Sequence, residues 1–267
     1  KNDQQLCVGV RDLLAKEDIT ATTAALSDIA ETCLRQVVLR EQAKLVQKYG
    51  RPTTPDGRLA EVAILAMGKF GGQEMNYHSD LDLVFLHEAD GHTQHEPLAR
   101  RAETTTNQHF ASELGQRIIK ATGRLSAYGR LYEVDARLRP TGKSGPLAVS
   151  LEEFARYFAE GDGRLWERQA LCRARVVFGS PEMASTAMAT VGRAAFDHPW
   201  RREHAEEVRR MRHRMEETAS EGNVKLGPGG IVDIEFLVQM LQLKHGRHNP
   251  EVRTPNTLAA LAALNQA

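Results

Sequence analysis

The chain has 267 residues, 35 basic and 35 acidic side chains, and a formal net charge of zero. A charged fraction of 26% and a hydrophobic fraction of 41% are those of an ordinary globular chain, which argues against disorder, collagen and a membrane bundle. Zero net charge also argues against a nucleic-acid coat, which needs a basic surface to displace counterions, but it leaves room for a local phosphate site.

The length allows one large domain or two small ones. Cys7, Cys33 and Cys172 lie far apart with no C-x-x-C pair, so they are expected to be reduced core residues of a cytoplasmic protein. The sequence lacks the long apolar run that a transmembrane helix needs, and its first residues, Lys1-Asn2-Asp3-Gln4-Gln5, do not read as a signal peptide. No membrane partner is expected.

In chain order, Leu26, Ile29, Cys33, Val37 and Val38 recur at helical spacing between about Thr20 and Lys48, and Gly50 closes that helix. Arg51 to Gly57 is turn chemistry and marks a boundary. Val62 to Met67 is a short continuous apolar run, as for a buried strand, and Gly68-Lys69-Phe70-Gly71-Gly72 follows it. A second strand is expected over Leu81 to Leu86, then a polar helix over Leu98 to Ala121. A third strand is expected over Leu131 to Asp135, and a loop over Pro140 to Gly145. After Leu151 the pattern is helical, with a mixed-charge helix over Glu203 to Glu221. A glycine break at Gly227 to Gly230 precedes an apolar helix over Ile231 to Leu243. The final Leu258 to Leu264 is helical in pattern without a stop signal, as in a piece of something longer.

Three strand-borne carboxylates stand out. Asp80 and Asp82 are two apart and point to one face of a strand that is otherwise apolar. Two buried carboxylates side by side are costly, and a divalent cation is the simplest compensation. Hard oxygen donors completed by water and phosphate suit Mg²⁺. An adjacent strand would bring Asp135 beside the pair and complete a two-metal type of centre. The alternative is a strand entrance whose aspartates cap turns or pair with arginines. Gly68, Gly71 and Gly72, with Lys69 and Ser79 nearby, are of the kind that hold a triphosphate. They form neither a G-x-G-x-x-G fingerprint nor a Walker A loop; Gly142-Lys143-Ser144 resembles the tail of one, with Arg137 where its first glycine would stand. Arg137 shares the alternation of Asp135. With Arg139 and Lys143 it either meets phosphate oxygens or neutralises Asp135 and Glu133.

Weaker features have plain readings. His87, His92 and His95 are expected in a solvated loop rather than at zinc. Phe154 and Trp166 are expected in the core. Arg201 to Arg214, interleaved with Glu203, Glu206 and Glu207, is expected to be a salt-bridged helix face. Asp233 and Glu235 open a helix, where they suit its dipole or face the site. Local charge is polarised: Glu74 to Glu103 holds seven acids against two bases, and Arg117 to Arg175 twelve bases against seven acids. That matches an acidic metal-binding segment followed by a phosphate-facing one.

Four blocks resemble the glutamine-synthetase adenylyltransferase family. They are Gly68 to Leu86; Leu131 to Pro140 with Ser144 to Leu147; Trp166 to Ala170 with Arg173 to Arg175; and Lys225 to Ile231 with Asp233 to Phe236. The resemblance implies an α+β fold: a polymerase-β-like nucleotidyltransferase core with flanking helices and a C-terminal helical domain. The expected units are residues 1–50, a helical segment, 51–180, the nucleotidyltransferase core, and 181–267, the helical domain. Ser79 to His87, Tyr132 to Asp135 and Asp233 to Phe236 look more like the adenylylating half of that bifunctional family. Met67 to Lys69, Asn76 and Lys225 to Gly227 lean toward the other half. Ala66 departs from the family's usual glycine, which bears on the tightness of the loop.

The resemblance implies Mg²⁺-dependent transfer of AMP from ATP to a tyrosine of glutamine synthetase, controlling nitrogen assimilation. Asp80 and Asp82 would be metal ligands, with two ions expected, and Asp135 a third ligand or the base. Gly71, Gly72 and Ser79 would lie along the triphosphate. Glutamine and a PII-type signalling protein would be regulators. The alternatives are phosphorolytic deadenylylation to ADP, a non-catalytic nucleotide-binding module, and a uridylyltransferase-like relative.

Overall fold

The two apolar strands alternate with period two, and both of their faces are buried. Val62, Ile64 and Ala66 of β2 (Val62–Ala66), with Leu81, Leu83 and Phe85 of β3 (Leu81–His87), enter one hydrophobic cluster. Ala63, Leu65, Val84 and Leu86 enter another on the opposite face. Continuous apolar runs are therefore what these strands require. The computed structural model describes residues 1–95, 103–161 and 163–266, with the side chain of Lys143 outside the description.

Two helices precede the sheet, α1 (Asn2–Leu13) and α2 (Ile19–Tyr49), the second capped by Asp18, whose carboxylate accepts from the Ala21 amide at 2.8 Å. Gly50 ends α2 at φ +83°, and a Cβ there would collide with the Gln94 carbonyl, so only glycine lets the chain turn against the next strand pair. That pair is β1 (Arg51–Pro52) with β4 (Thr93–Gln94). Between β2 and β3 lies the single turn α3 (Gly68–Gly71). Next come α4 (Asn107–Gly123), β5 (Val134–Asp135), β6 (Ala148–Ser150), α5 (Leu151–Ala159), α6 (Leu165–Leu171), β7 (Arg175–Phe178) and α7 (Pro181–Phe196). Helices α8 (Arg202–Glu216), α9 (Ile231–His245) and α10 (Thr257–Leu264) complete the described chain.

The main sheet is mixed. β2 runs antiparallel to β3 and β7, while β5 and β6 pair in parallel with successive parts of the far edge of β3. α2 and α4 cover the first face, and α5, α6 and α7 cover the second, with α8 and α9 packed beyond them. This is an α+β architecture with flanking helices, as expected.

Several expectations change. Helix α1 carries no clear signal in sequence: Val8 packs inward, while Leu6, Val10 and Leu13 are exposed. The polar helix begins at Asn107, because the Thr106 hydroxyl accepts from the His109 amide at 3.2 Å and caps it there; residues 98–102 of the expected span lie outside the described residues. The third strand narrows to Val134 and Asp135. Gly142 to Ser144 forms a 3-10 turn inside the expected loop. Arg175 to Phe178, in a stretch expected to be helical, is a strand because β2 offers it an edge. The mixed-charge helix stops at Glu216, short of Glu221. The last helix is capped at its start, where Asn256 Oδ1 accepts from the Ala259 amide at 2.9 Å.

Cys172 is buried and its thiol is pushed up by that burial, but Cys7 is exposed, so it is not a core residue; all three cysteines are free. His87 ends β3 and is buried, its Nδ1 3.1 Å from the Ala89 carbonyl oxygen, which corrects the expectation of a solvated loop. Phe154 is in the core, as expected. Among the described residues, no helix is long and apolar enough to cross a membrane.

Candidate functional site

The site lies at the end of the sheet where β2 finishes and β3 begins. The Met67 amide donates to the Asp82 carbonyl at 2.9 Å, so the turn into α3 is tied to the strand that carries the aspartates. Gly68 starts α3 at φ +53°, and a Cβ built on it would stand 2.5 Å from Asp82 Oδ2. The loop backbone and the Asp82 carboxylate are thus in close approach, and glycine alone allows it.

Parallel pairing of β3 with β5 sets Leu81 against Val134 and Asp82 directly against Asp135, and the Leu81 amide donates to the Glu133 carbonyl at 2.9 Å. Asp80 is exposed at the entrance of β3, while Asp82 and Asp135 are half-buried. The charges of two neighbouring carboxylates act on Asp82. Burial first, then the charges of Asp135 and Asp80, push the Asp82 carboxyl up to about 6, with Arg137 and Arg173 opposing. The structure therefore sets Asp82 beside Asp135, with Asp80 near enough for its charge to act on Asp82.

Arg137 takes Asp135 as its partner. Its backbone amide donates to Asp135 Oδ1 at 2.9 Å, and its Nε to Oδ1 and Oδ2 at 2.9 and 2.7 Å. Of the two readings of Arg137, the structure shows the pairing with the aspartate. Among the described residues, no three His, Cys, Asp or Glu side chains form a ready-made metal cage. The donor set still fits a hard cation. It consists of carboxylate oxygens only, and one of them carries a raised pKa that positive charge would relieve.

The remaining predicted site residues divide. Lys69 is half-buried on α3. The Ser79 hydroxyl accepts from the Asn76 amide and donates to Asn76 Oδ1, both at 2.9 Å, and so fixes the turn into Asp80. Gly71 and Gly72 are buried. A Cβ on Gly71 would collide with the Arg173 carbonyl, and one on Gly72 would stand 2.8 Å from the Arg173 guanidinium and 2.9 Å from the Pro255 carbonyl. Their close neighbours are the Arg173 and Ala66 carbonyls for Gly71, and the Arg173 guanidinium and the Pro255 carbonyl for Gly72. Arg139 donates from Nε to the Pro146 carbonyl at 2.9 Å and from its other end to the Ala136 carbonyl. It is half-buried and braces its loop. The side chain of Lys143 lies outside the described residues. Gly71→Ala is expected to cost about 1–3 kcal/mol by overpacking, read as a lower urea midpoint at unchanged slope.

Sequence reasoning missed the ion network beneath the loop. Arg173, only 4% exposed, pairs with Glu74 and, through Nη1, with Glu235 of α9 at 2.8 Å. Glu235 is therefore a tie between α9 and the loop. Asp233 pairs with Arg212 at 2.5 Å and accepts from the Gly229 amide at 2.6 Å, closing the start of α9. Arg212 also lies 3.7 Å from Glu216, an ion pair within α8. Arg173 and its partners lie 62 and 99 positions apart, so no local pattern announces them.

Comparison with known proteins follows the same lines. A family model described as glutamate-ammonia ligase adenylyltransferase matches residues 1–190, and one described as GlnD PII-uridylyltransferase matches residues 200–267. A protein of Aromatoleum aromaticum is 37% identical over 264 residues, covering 96% of this chain and 27% of that protein. One of Rhodopseudomonas palustris is 38% identical over 257 residues, covering 95% and 25%. One of Shewanella woodyi is 34% identical over 274 residues, covering 100% and 28%. All three are named bifunctional glutamine synthetase adenylyltransferase/adenylyl-removing enzyme. The chain spans about a quarter of the length of these relatives.

Proposed function

The chain belongs to the glutamate-ammonia ligase adenylyltransferase family, and on that premise we propose that it transfers AMP from ATP to a tyrosine of glutamine synthetase in a Mg²⁺-dependent reaction. The observation that carries this is the register of β3 and β5, which sets Asp82 against Asp135 with Asp80 close enough to raise the Asp82 pKa. Asp80 and Asp82 would hold the cation, and Asp135 adds a third oxygen donor or accepts the phenolic proton. Bound Mg²⁺ would neutralise charge on the phosphates and on the departing pyrophosphate.

The protein's own residues do the rest. In the proposed step, the tyrosine oxygen forms a bond to the α-phosphorus, the bond from that phosphorus to the bridging oxygen breaks, and pyrophosphate leaves. Such a transfer needs positioning and charge neutralisation more than covalent chemistry by the protein. Gly68 and Lys69 carry the proposed phosphate contacts at the loop, Ser79 holds the entrance to Asp80, Arg137 approaches from the far edge, and Lys143 is a further proposed phosphate contact. Arg137 meets phosphate oxygens by releasing Asp135. Gly71, Gly72 and Arg139 shape these loops from within.

We assign the chemistry to residues 51–180, with 1–50 and 181–267 as helical covers. The match of residues 200–267 to a PII-uridylyltransferase model favours this last segment as the place where a PII-type regulator acts, and glutamine is the proposed second regulator. That match, and the adenylyl-removing activity in the relatives' names, also define the rivals: phosphorolysis of adenylylated glutamine synthetase, and UMP transfer from UTP. The test is the intact mass of glutamine synthetase after incubation with the protein. Gain of AMP from ATP with pyrophosphate released supports the proposal. Phosphate-dependent loss of AMP as ADP selects the removing direction, and transfer from UTP alone rejects the adenylyl donor.

A further inference from the structure

The loop that faces the carboxylates is held from below by residues of the two last described helices. Asn256, the cap of α10, donates from Nδ2 to the Gly72 carbonyl at 2.9 Å across 184 positions of sequence. The Thr257 amide and hydroxyl both donate to the Glu74 carboxylate, the hydroxyl at 3.1 Å. The same carboxylate meets Arg173, whose Nη1 holds Glu235 of α9 at 2.8 Å. Gly72 packs against Arg173 and the Pro255 carbonyl, leaving no slack between the loop and the turn before α10. Gln73, at φ +55°, sits in the middle of this grip. The far end of the same short loop is Gly68, which touches Asp82.

The seven-residue segment Gly68 to Glu74 thus joins the carboxylate centre at one end to α9 and α10 at the other. Single-turn α3 closes its own backbone bonds from Gly71 to Met67, Gly72 to Gly68 and Glu74 to Lys69, and Arg175 holds the Gly71 carbonyl at 3.3 Å, while the clamp from α9 and α10 fixes its end at Gly72 and Glu74.

We propose that Asn256, Thr257 and Glu235 are positioning residues for the nucleotide loop, so that nucleotide binding at the carboxylates depends on α9 and α10 remaining docked under Gly72 and Glu74. This rests on the reading of the site as an ATP site. None of the three touches substrate; they act through the placement of Gly68 to Glu74. Displacement of α9 and α10 by a regulator would then release the loop and weaken ATP binding without any change at the aspartates.

The test uses Asn256→Ser in the intact protein. Serine keeps a good helix cap but lacks the amide donor to Gly72. Hydrogen exchange of amides 67–75 is expected to rise while that of 83–87 in β3 stays as it is. The KM for ATP is expected to rise roughly fivefold, the scale of one lost hydrogen bond, with a smaller fall in kcat. Asn256→Ala, which also loses the cap, should show the same KM with a lower melting temperature. Unchanged exchange over 67–75, or an unchanged KM in Asn256→Ser, overturns the proposal. So does a KM that rises only in Asn256→Ala, because the effect would then follow helix stability. The exchange measurement needs no turnover, so it decides the clamp even if Asp82→Asn retains activity and the functional reading fails.

Discussion

Asp82→Asn is expected to lower AMP transfer by roughly 100-fold or more, the scale seen when one preorganised electrostatic group is removed, while making the ion-free protein more stable. The stability follows from the raised pKa. A carboxyl pushed from 3.8 to about 6 binds its proton more tightly in the folded state than in the unfolded chain. Its penalty is absent below the unfolded pKa of 3.8, grows as pH rises, and is complete above about 6. The shift corresponds to at most about 3 kcal/mol at neutral pH. Asparagine keeps the shape and removes the charge, so melting at pH 7 without Mg²⁺ should rise by a few degrees, and the difference should vanish near pH 4. Wild-type transfer by Asp82→Asn would show that the carboxylate is not part of the chemistry. A fall in its melting temperature would show that Asp82 is a structural anchor.

Arg173→Met should have the largest effect on stability. It leaves Glu74 and Glu235 facing each other, each only about a fifth exposed, with the cation between them gone. Removing one partner of a buried ion network costs about 3–5 kcal/mol, and partial exposure of both carboxylates places this case near the lower end. For a chain of this size that is a fall in melting temperature of order 10 °C. Adding Glu74→Gln and Glu235→Gln should restore part of the loss, because the uncompensated charges are then removed. No recovery in the triple variant would mean that the arginine acts by packing alone.

The strands and the carboxylates were legible because their signals are local. Continuous apolar runs at Val62 to Ala66 and Leu81 to Leu86 show a sheet buried on both faces, and Asp82 inside the second run, with Asp80 just before it, breaks that pattern for a reason. The alternation of β3 and a neighbouring strand was enough to expect Asp135 beside Asp82. Pairing that depends on distant chain was not legible. Arg175 to Phe178 is too short and too flanked by arginine to announce a strand, and becomes one only at the edge of β2. Gly71 and Gly72 read as phosphate glycines because sequence shows a need for close approach without showing what approaches; here it is the Arg173 backbone and the turn before α10. Glu74, Arg173, Glu235 and Thr257 acquire meaning only when segments up to 183 positions apart meet.

The central claim, that Asp80, Asp82 and Asp135 form one cation-dependent nucleotide centre, is tested most directly by calorimetric titration with Mg²⁺ and a non-transferable ATP analogue near pH 6, in buffers of different ionisation heat. The wild-type protein should release about half a proton on binding, because Asp82 is half-protonated there and must ionise to meet the cation. Asp82→Asn should lose both the proton release and most of the Mg²⁺-dependent affinity. Equal affinity and equal proton release in the two proteins would contradict the account.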